Sequence, residues 1–215
     1  MFRVVGGLTL VALAAGLVMA FGVAPREVTQ GNVQRIMYLH VPSVWVAYLA
    51  FAVVLVASIV YLARRLDGAD RLAHASAEVG VLFTGLTIAT GSIWGKPTWG
   101  TWWTWDARLT SVSILFVMYL GYLLLRGMIE DPDQGARYAA VLGIVAAFNI
   151  PLVHFSVYWW RTLHQPPSLM KPGPGTIPGV IVAALIVNFV AFSLLYIYFV
   201  AKRVRLLRRE AEAAA

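Results

Sequence analysis

The sequence predicts an all-α membrane protein, a bundle of six transmembrane helices, and three observations support this. Of its 215 residues, 60% are apolar and only 13% are charged, whereas a soluble domain is about half apolar and a quarter charged. Six apolar stretches have the roughly 20 residues that a helix needs to cross a bilayer. Because lipid offers backbone groups no hydrogen-bond partner, stretches of this kind must be helical. We therefore expect one membrane domain over residues 1–215, without a separate soluble domain.

The six spans are predicted at 4–24, 41–63, 72–93, 109–125, 138–160 and 177–201. The first follows Arg3 and resembles a signal peptide, but its apolar run is too long for one, so we expect an uncleaved first helix. Asn149 and Pro151 interrupt the fifth span and predict a kink there. His74 and Glu78 are four residues apart at the start of the third span and predict a helical side-chain pair.

The distribution of basic residues predicts the orientation. The loops at 25–40, 94–108 and 161–176 contain 6 of the 17 Lys and Arg residues, and the other face contains 11, including the basic tail at 202–215. The more basic face is normally cytoplasmic. Both termini are then cytoplasmic, and the three loops face the periplasm of a bacterium with an inner and an outer membrane. The loop at 161–176 is rich in Pro and Gly and is expected to be an extended flap.

The segment 94–108, WGKPTWGTWWTWDAR, contains five of the eight Trp residues in the chain. An interfacial aromatic belt accounts for one or two of them, but not for five interleaved with Gly and followed by a carboxylate. Such a surface fits a flat, mostly apolar ligand, with rings to stack on it and Gly to allow close approach. We therefore predict a haem-binding platform of Trp94, Trp99, Gly100, Trp102, Trp103, Trp105 and Asp106.

Two histidines lie on the same predicted face as this platform. His40 ends the first loop and His164 follows the fifth span, so the two are candidate axial ligands on opposite sides of a haem iron. Each could instead be an ordinary interfacial polar residue. His154 lies inside the fifth span and is expected to pack in the bundle, lining the site from below.

Arg35 and Arg108 are the candidate partners of haem propionates, because a guanidinium matches the geometry of a carboxylate. The alternative for each is interfacial snorkelling or pairing with Asp106. Asp106 itself has two open interpretations, contact with the ligand or support of the local backbone.

The sequence lacks the patterns of several catalytic classes. Without Cys, the chain cannot form disulfides or ligate an iron–sulfur cluster. The segment 91–97, GSIWGKP, superficially resembles a phosphate-binding loop, but Thr90 stands where its first Gly belongs and Pro97 where its Ser or Thr belongs. We predict that the protein is not an enzyme.

WGTWWTWD at 99–106 resembles the WWD signature of haem-handling proteins. Together with YLHVP around His40 and HFSVYWWRTLHQ at 154–165, the chain resembles the CcmC family of cytochrome c maturation over nearly its whole length. The resemblance implies a bacterial inner-membrane protein whose periplasmic WWD loop presents non-covalent haem b between two His, here His40 and His164. It also implies association with the ABC transporter subunits CcmA and CcmB and the small subunit CcmD, and delivery of haem to the chaperone CcmE.

Two other function classes remain as alternatives. A b-type membrane redox cytochrome normally holds haem between His residues inside its bundle, and here only His154 is clearly within a span. A permease subunit that moves a substrate through itself needs a polar path, and the three intramembrane candidates are Asn149, His154 and Asn188.

Overall fold

The computed structural model describes residues 2–165 and 177–214. Within them the chain forms seven α-helices: α1 (Phe2–Val18), α2 (Met37–Arg64), α3 (Asp67–Trp99), α4 (Ala107–Met128), α5 (Pro132–Ala147), α6 (Asn149–Trp159) and α7 (Gly179–Ala214). A π-helical turn, Met19–Val23, extends α1, and a 3₁₀ turn, Val33–Ile36, leads into α2.

The all-α membrane fold is confirmed. In the described part of the chain, six helical segments are long and apolar enough to span a bilayer, with α5 and α6 together forming the fifth. The predicted kink lies at Phe148, between α5 and α6. Pro151 belongs to the first turn of α6, where its missing N–H costs no intrahelical hydrogen bond.

Helix α3 ends later than the sequence pattern predicts, at Trp99 and not at Ile93. Gly95 and Pro97, which are residue types that commonly interrupt a helix, lie within its last turns, where Thr98 Oγ1 donates to the Trp94 carbonyl at 2.8 Å. The helix ends at Gly100, whose φ of 78° is readily available only to glycine, and its N–H donates to the Lys96 carbonyl. At about 1.5 Å per residue, the 33 residues of α3 are about 50 Å long, so the helix extends well beyond a hydrocarbon core of about 30 Å.

Helix α7 also continues past its predicted end at 201 and remains helical to Ala214, through the segment expected to be a solvated tail. Ion pairs stabilise this extension. Arg203 binds Glu78 of α3 at 2.6 Å and Glu210 at 3.2 Å, and Arg208 binds Glu212 at 2.7 Å. The predicted pair of His74 and Glu78 is present at 3.2 Å.

The core lies where α2, α3, α4 and α7 meet. Phe51 stacks on Tyr119 with ring centroids 3.6 Å apart, and a Cβ on Gly80 would collide with the Phe51 ring. Helix α1 runs antiparallel to α7, with Phe2 against Arg205 at one end and Gly16 against Asn188 further along. Both termini of the described chain are therefore at one end of the bundle, and the segment rich in Trp is at the other. Most of the predicted proline-rich flap, residues 166–176, falls outside the described residues.

Candidate functional site

Three segments meet at the end of the bundle opposite the termini. They are the first turns of α2 with His40, the WWD segment (residues 94–108, from the end of α3 to the start of α4), and residues 160–165 after α6 with His164. The ring of Trp94 lies 5.8 Å from that of His40, and the ring of Trp99 lies 6.1 Å from that of His164. The WWD segment thus contacts both candidate ligands.

His40 is buried and its ring orientation is fixed by α3. Its Nδ1 lies 3.0 Å from Thr90 Oγ1, and that hydroxyl donates its only proton to the Leu86 carbonyl at 2.7 Å. With its proton directed at Leu86, the hydroxyl accepts from His40, an assignment that places the proton on Nδ1 and leaves the lone pair on Nε2. This is the arrangement of a metal-binding imidazole, in which one nitrogen is held by a polar partner and the other is free to bind.

Close helix packing also fixes the position of His40. A Cβ on Gly91 would lie 2.9 Å from His40 Cε1, so only glycine leaves room for the ring. On the neighbouring turn, Trp94 meets the ring edge-on and donates its Nε1–H to Gln30 Oε1 at 2.8 Å. The first loop, α2 and α3 therefore act together to hold this imidazole.

His164 has the same tautomer as His40. Its Nδ1 lies 2.9 Å from the Gln165 carbonyl, which can only accept, so Nδ1 carries the proton and Nε2 the lone pair. Thr162 Oγ1 donates to the His164 carbonyl at 2.9 Å and tightens the turn. Desolvation lowers the pKa of His164 from 6.5 to about 4, and the positive charge of Arg108 contributes to the decrease. The imidazole is therefore neutral, and able to bind a metal, at ordinary pH.

Asp106 joins the WWD segment to the segment that carries His164. Its Oδ1 accepts from the Leu109 amide at 2.9 Å and caps the N-terminus of α4. Its Oδ2 accepts from the Leu163 amide at 3.0 Å. Of the two interpretations left open by the sequence, support of the backbone accounts for both carboxylate oxygens.

The tryptophans of the WWD segment divide into supporting and exposed rings. Trp94, Trp99 and Trp103 are half-buried, and Trp103 contacts Trp105 edge-to-face at 5.6 Å. Trp102 is 57% exposed and Trp105 is 75% exposed, although each is a large apolar side chain. The segment whose half-buried rings contact both imidazoles therefore also presents two exposed rings on which a flat ligand can stack.

Arg108, in the first turn of α4, lies near three histidines. It is within electrostatic range of His40, His154 and His164, and beside the hydroxyl of Tyr48. Its Nη1 is buried and has no partner among the described residues. A guanidinium can only donate and its desolvation is costly, so this atom is available to an acceptor such as the carboxylate of a ligand.

Other buried polar atoms without partners lie in the same segment. Among the described residues, these include Trp103 Nε1, Thr104 Oγ1 and Thr110 Oγ1, all within eight residues of the chain. Unpaired buried polar groups are rare in native proteins, and each costs about 1–3 kcal/mol. Their concentration here gives this part of the chain several groups that can bind the polar atoms of a ligand.

Arg35 is engaged differently from Arg108. Its Nη1 donates to the Phe21 carbonyl at 2.8 Å and its Nη2 to the Ala24 carbonyl at 3.3 Å. Both of its Nη groups therefore bind backbone carbonyls at the end of the π-helical turn. It also lines a groove of about 430 Å³ that reaches Thr90, the partner of His40. Arg35 therefore borders the His40 side of the site while its Nη groups bind backbone.

Several site residues escape prediction from the sequence. Thr90 and Gly91 belong to the segment that superficially resembles a phosphate-binding loop, and their contact with His40 depends on how α2 packs on α3. Gln30 and Tyr48 have no sequence signal that we can identify. His154 lies in α6, is half-buried, and has its ring 6.5 Å from that of Tyr48.

Comparison with known proteins identifies the relationship. The family model for haem exporter protein C, CcmC, matches residues 1–215. Haem exporter protein C of Bradyrhizobium diazoefficiens is 45% identical over 203 residues, covering 94% of this chain and 77% of the relative. Haem exporter protein C of Haemophilus influenzae is 42% identical over 207 residues, covering 95% of this chain and 84% of the relative.

The fold defines a multi-pass helical membrane protein, and two histidines and a Trp-rich segment lie together at one end of its bundle. It is a haem-handling protein of cytochrome c biogenesis and not an enzyme. The chain belongs to the haem exporter protein C family.

Proposed function

We propose that this chain binds haem b non-covalently between His40 and His164 and presents it on the WWD segment for delivery to the chaperone CcmE. The observation that carries the proposal is the matched pair of imidazoles. Among the described residues, both have Nδ1 hydrogen-bonded to an acceptor and no partner at Nε2, and each contacts a Trp ring of the WWD segment.

The remaining residues have distinct roles in this proposal. Trp102 and Trp105 supply the exposed stacking surface, while Trp94, Trp99 and Trp103 support the two imidazoles and the loop. Gly100 ends α3 so that the loop can turn. Asp106 positions His164 through the Leu163 amide.

Arg108 is the principal propionate partner, because its Nη1 is buried and unpaired among the described residues. Arg35 is a secondary partner on the His40 side.

We further propose that the chain lies in the bacterial inner membrane with both termini in the cytoplasm and the WWD segment in the periplasm. The distribution of basic residues supports this orientation.

The relatives' name, haem exporter protein, supports assembly with an ABC-type transporter. We assign CcmA, CcmB and CcmD as its partners. They would supply the energy for release, since the sequence has no nucleotide-binding motif.

The experiment is an absorption spectrum of the purified protein, oxidised and dithionite-reduced, with a pyridine haemochrome assay for haem type. The wild-type protein should show the sharp reduced bands of low-spin b-type haem. The double variant His40→Ala/His164→Ala should lose them. His74→Ala is the matched control, because His74 pairs with Glu78 near the other end of the bundle and its loss should leave the spectrum unchanged.

Other outcomes would favour other functions. An unchanged spectrum in the double variant would overturn the ligand assignment. Reversible quinol-driven reduction of the haem would favour a redox cytochrome. Substrate transport by this chain alone in liposomes would favour a permease.

A further inference from the structure

At the end of the bundle opposite the WWD segment, α1 and α7 enclose a pocket of about 310 Å³. Its lining consists of Phe2, Lys202, Arg205, Leu206 and Arg209. The four α7 residues follow the spacing i, i+3, i+4, i+7, which places them on one face of the helix. The pocket, called here the α1–α7 pocket, thus combines an apolar floor with three cations.

The three cations of this pocket are not neutralised. Arg203 and Arg208 on the same helical extension bind Glu78, Glu210 and Glu212. Lys202, Arg205 and Arg209 have no carboxylate partner within residues 2–165 and 177–214. The helix therefore carries its acidic residues on another face and leaves the pocket face positive.

Aromatic rings hold two of the cations in place. Arg205 Cζ lies 5.4 Å from the Phe2 ring centroid, and Lys202 Nζ lies 5.1 Å from that of Tyr198. Cation–π contacts of this kind orient a cation without neutralising its charge. The pocket is therefore ordered before any anion binds.

The pocket lies at the boundary of the membrane. Lys202 directly follows the apolar run of α7, and Phe2 is at the start of α1. At about 1.5 Å per residue, Arg209 lies about 10 Å beyond Lys202 along the helix. The polar headgroup region is roughly 5–8 Å deep on each side of the hydrocarbon core. The cations therefore extend through the depth at which lipid phosphates lie.

We propose that the α1–α7 pocket is a binding site for one anionic phospholipid. The phosphodiester would bind Lys202, Arg205 and Arg209, and the glycerol and upper acyl chain would lie on Phe2 and Leu206. A phosphate matches the donors of Arg and Lys, and the apolar floor favours a lipid over a soluble phosphate. The site is independent of the haem site, so its failure would not affect the proposed function.

The test is native mass spectrometry of the purified full chain in detergent, titrated with dioleoylphosphatidylglycerol or dioleoylphosphatidylcholine. The variant Lys202→Gln/Arg205→Gln/Arg209→Gln removes the three pocket cations. The matched control, Arg64→Gln/Arg65→Gln/Arg137→Gln, removes three exposed cations from the same end of the bundle but outside the pocket. Both variants change the net charge by the same amount.

We expect one phosphatidylglycerol to bind the wild-type chain more tightly than phosphatidylcholine. The pocket variant should bind it at least tenfold more weakly, since each basic residue near an anionic surface contributes roughly fivefold in affinity. The control should retain wild-type affinity. Equal losses in both variants, or equal binding of the two lipids by the wild-type chain, would overturn the proposal.

A second variant tests the apolar floor without altering charge. Phe2→Ala/Leu206→Ala should weaken phosphatidylglycerol binding while the thermal midpoint stays near that of the wild type. Wild-type binding of water-soluble glycerophosphoglycerol as tightly as the lipid would show an anion site and overturn the lipid assignment. A pocket variant that keeps lipid affinity but loses a co-purifying membrane subunit would identify a protein interface instead.

Discussion

The tautomers of the two histidines depend on single contacts, and that of His40 depends on Thr90. A Val at position 90 keeps the shape of the side chain but removes the oxygen that accepts from Nδ1. We expect Thr90→Val to weaken haem binding roughly tenfold and to shift the reduced absorption bands, because the ring loses both its orientation and its fixed proton. Titration of the purified apoprotein with haem measures both effects.

Thr84 provides the control for this substitution. It lies on the same helix, is buried, and donates to the Gly80 carbonyl as Thr90 donates to Leu86, but it does not contact a histidine. Thr84→Val should leave the haem spectrum unchanged. Equal effects of the two substitutions would mean that helix stability matters and that the contact with His40 does not.

Gly91 determines whether the His40 ring fits against α3. A Cβ at this position would lie 2.9 Å from His40 Cε1, closer than van der Waals contact allows. We predict that Gly91→Ala displaces the imidazole and reduces haem occupancy at least tenfold in the pyridine haemochrome assay. Gly85→Ala is the matched control, since its Cβ would meet Phe116 at an ordinary 3.5 Å. Full haem occupancy in Gly91→Ala would show that the ring does not need this space.

At the scale of elements, Asp106 makes two contacts that can be tested separately, the cap of α4 and the bond to the Leu163 amide. Asn is as good a helix cap as Asp, so Asp106→Asn should preserve α4. Its side chain has only one acceptor oxygen, so the bond to the Leu163 amide is lost and the His164 segment is released. We expect Asp106→Asn to retain the wild-type thermal midpoint but bind haem several-fold more weakly.

Alanine at the same position should remove both functions of Asp106. Loss of the cap costs about 1 kcal/mol of stability, so Asp106→Ala should lower the thermal midpoint as well as haem affinity. Asp131 caps α5 by accepting from the Asp133 and Gln134 amides and makes no bond to the His164 segment. Asp131→Ala should therefore lower stability alone. A loss of haem in Asp131→Ala equal to that in Asp106→Ala would contradict the positioning role.

The elements also show where sequence reasoning succeeds and where it stops. The membrane spans follow from hydropathy, which is a local property, and the kink at Phe148 follows from Asn149 and Pro151. The sequence pattern places the end of α3 too early, at Ile93, because Gly95 and Pro97 indicate a helix end there. The Thr98 side-chain bond and the αL cap at Gly100 extend the helix to Trp99. The contact of Thr90 with His40 joins residues 50 positions apart. No local pattern encodes that contact, because it depends on the packing of two helices.

At the scale of the whole molecule, the two ends of the bundle are built differently. The end with the WWD segment contains buried polar atoms without partners among the described residues, including those of Trp103, Thr104 and Arg108. The end with the termini contains satisfied ion pairs, such as Arg203 with Glu78. Unpaired groups reduce stability, so the end with the WWD segment is expected to depend on the other end for a stable framework.

The clearest part of that framework is the pair of Asp70 and Arg126, which joins the start of α3 to the end of α4. The guanidinium makes two bonds to the carboxylate, at 2.6 and 2.7 Å, and both side chains are about 15% exposed. Breaking such a pair from one side leaves a largely buried, unpaired charge, which costs about 3–5 kcal/mol. We predict that Asp70→Asn lowers the thermal midpoint strongly.

The haem spectrum of folded Asp70→Asn should nevertheless match that of the wild type, because the pair lies at the far end of α3 and α4 from the WWD segment. Asp67→Asn is the comparison, since Asp67 is exposed and 4.0 Å from Arg71, and a pair of this kind contributes under about 1 kcal/mol. Thermal melts and spectra of both variants measure the two effects separately. A changed spectrum in Asp70→Asn at a temperature where it is fully folded would show that the two ends are coupled. An unchanged spectrum together with a lowered midpoint would show that the framework supports the site without shaping it.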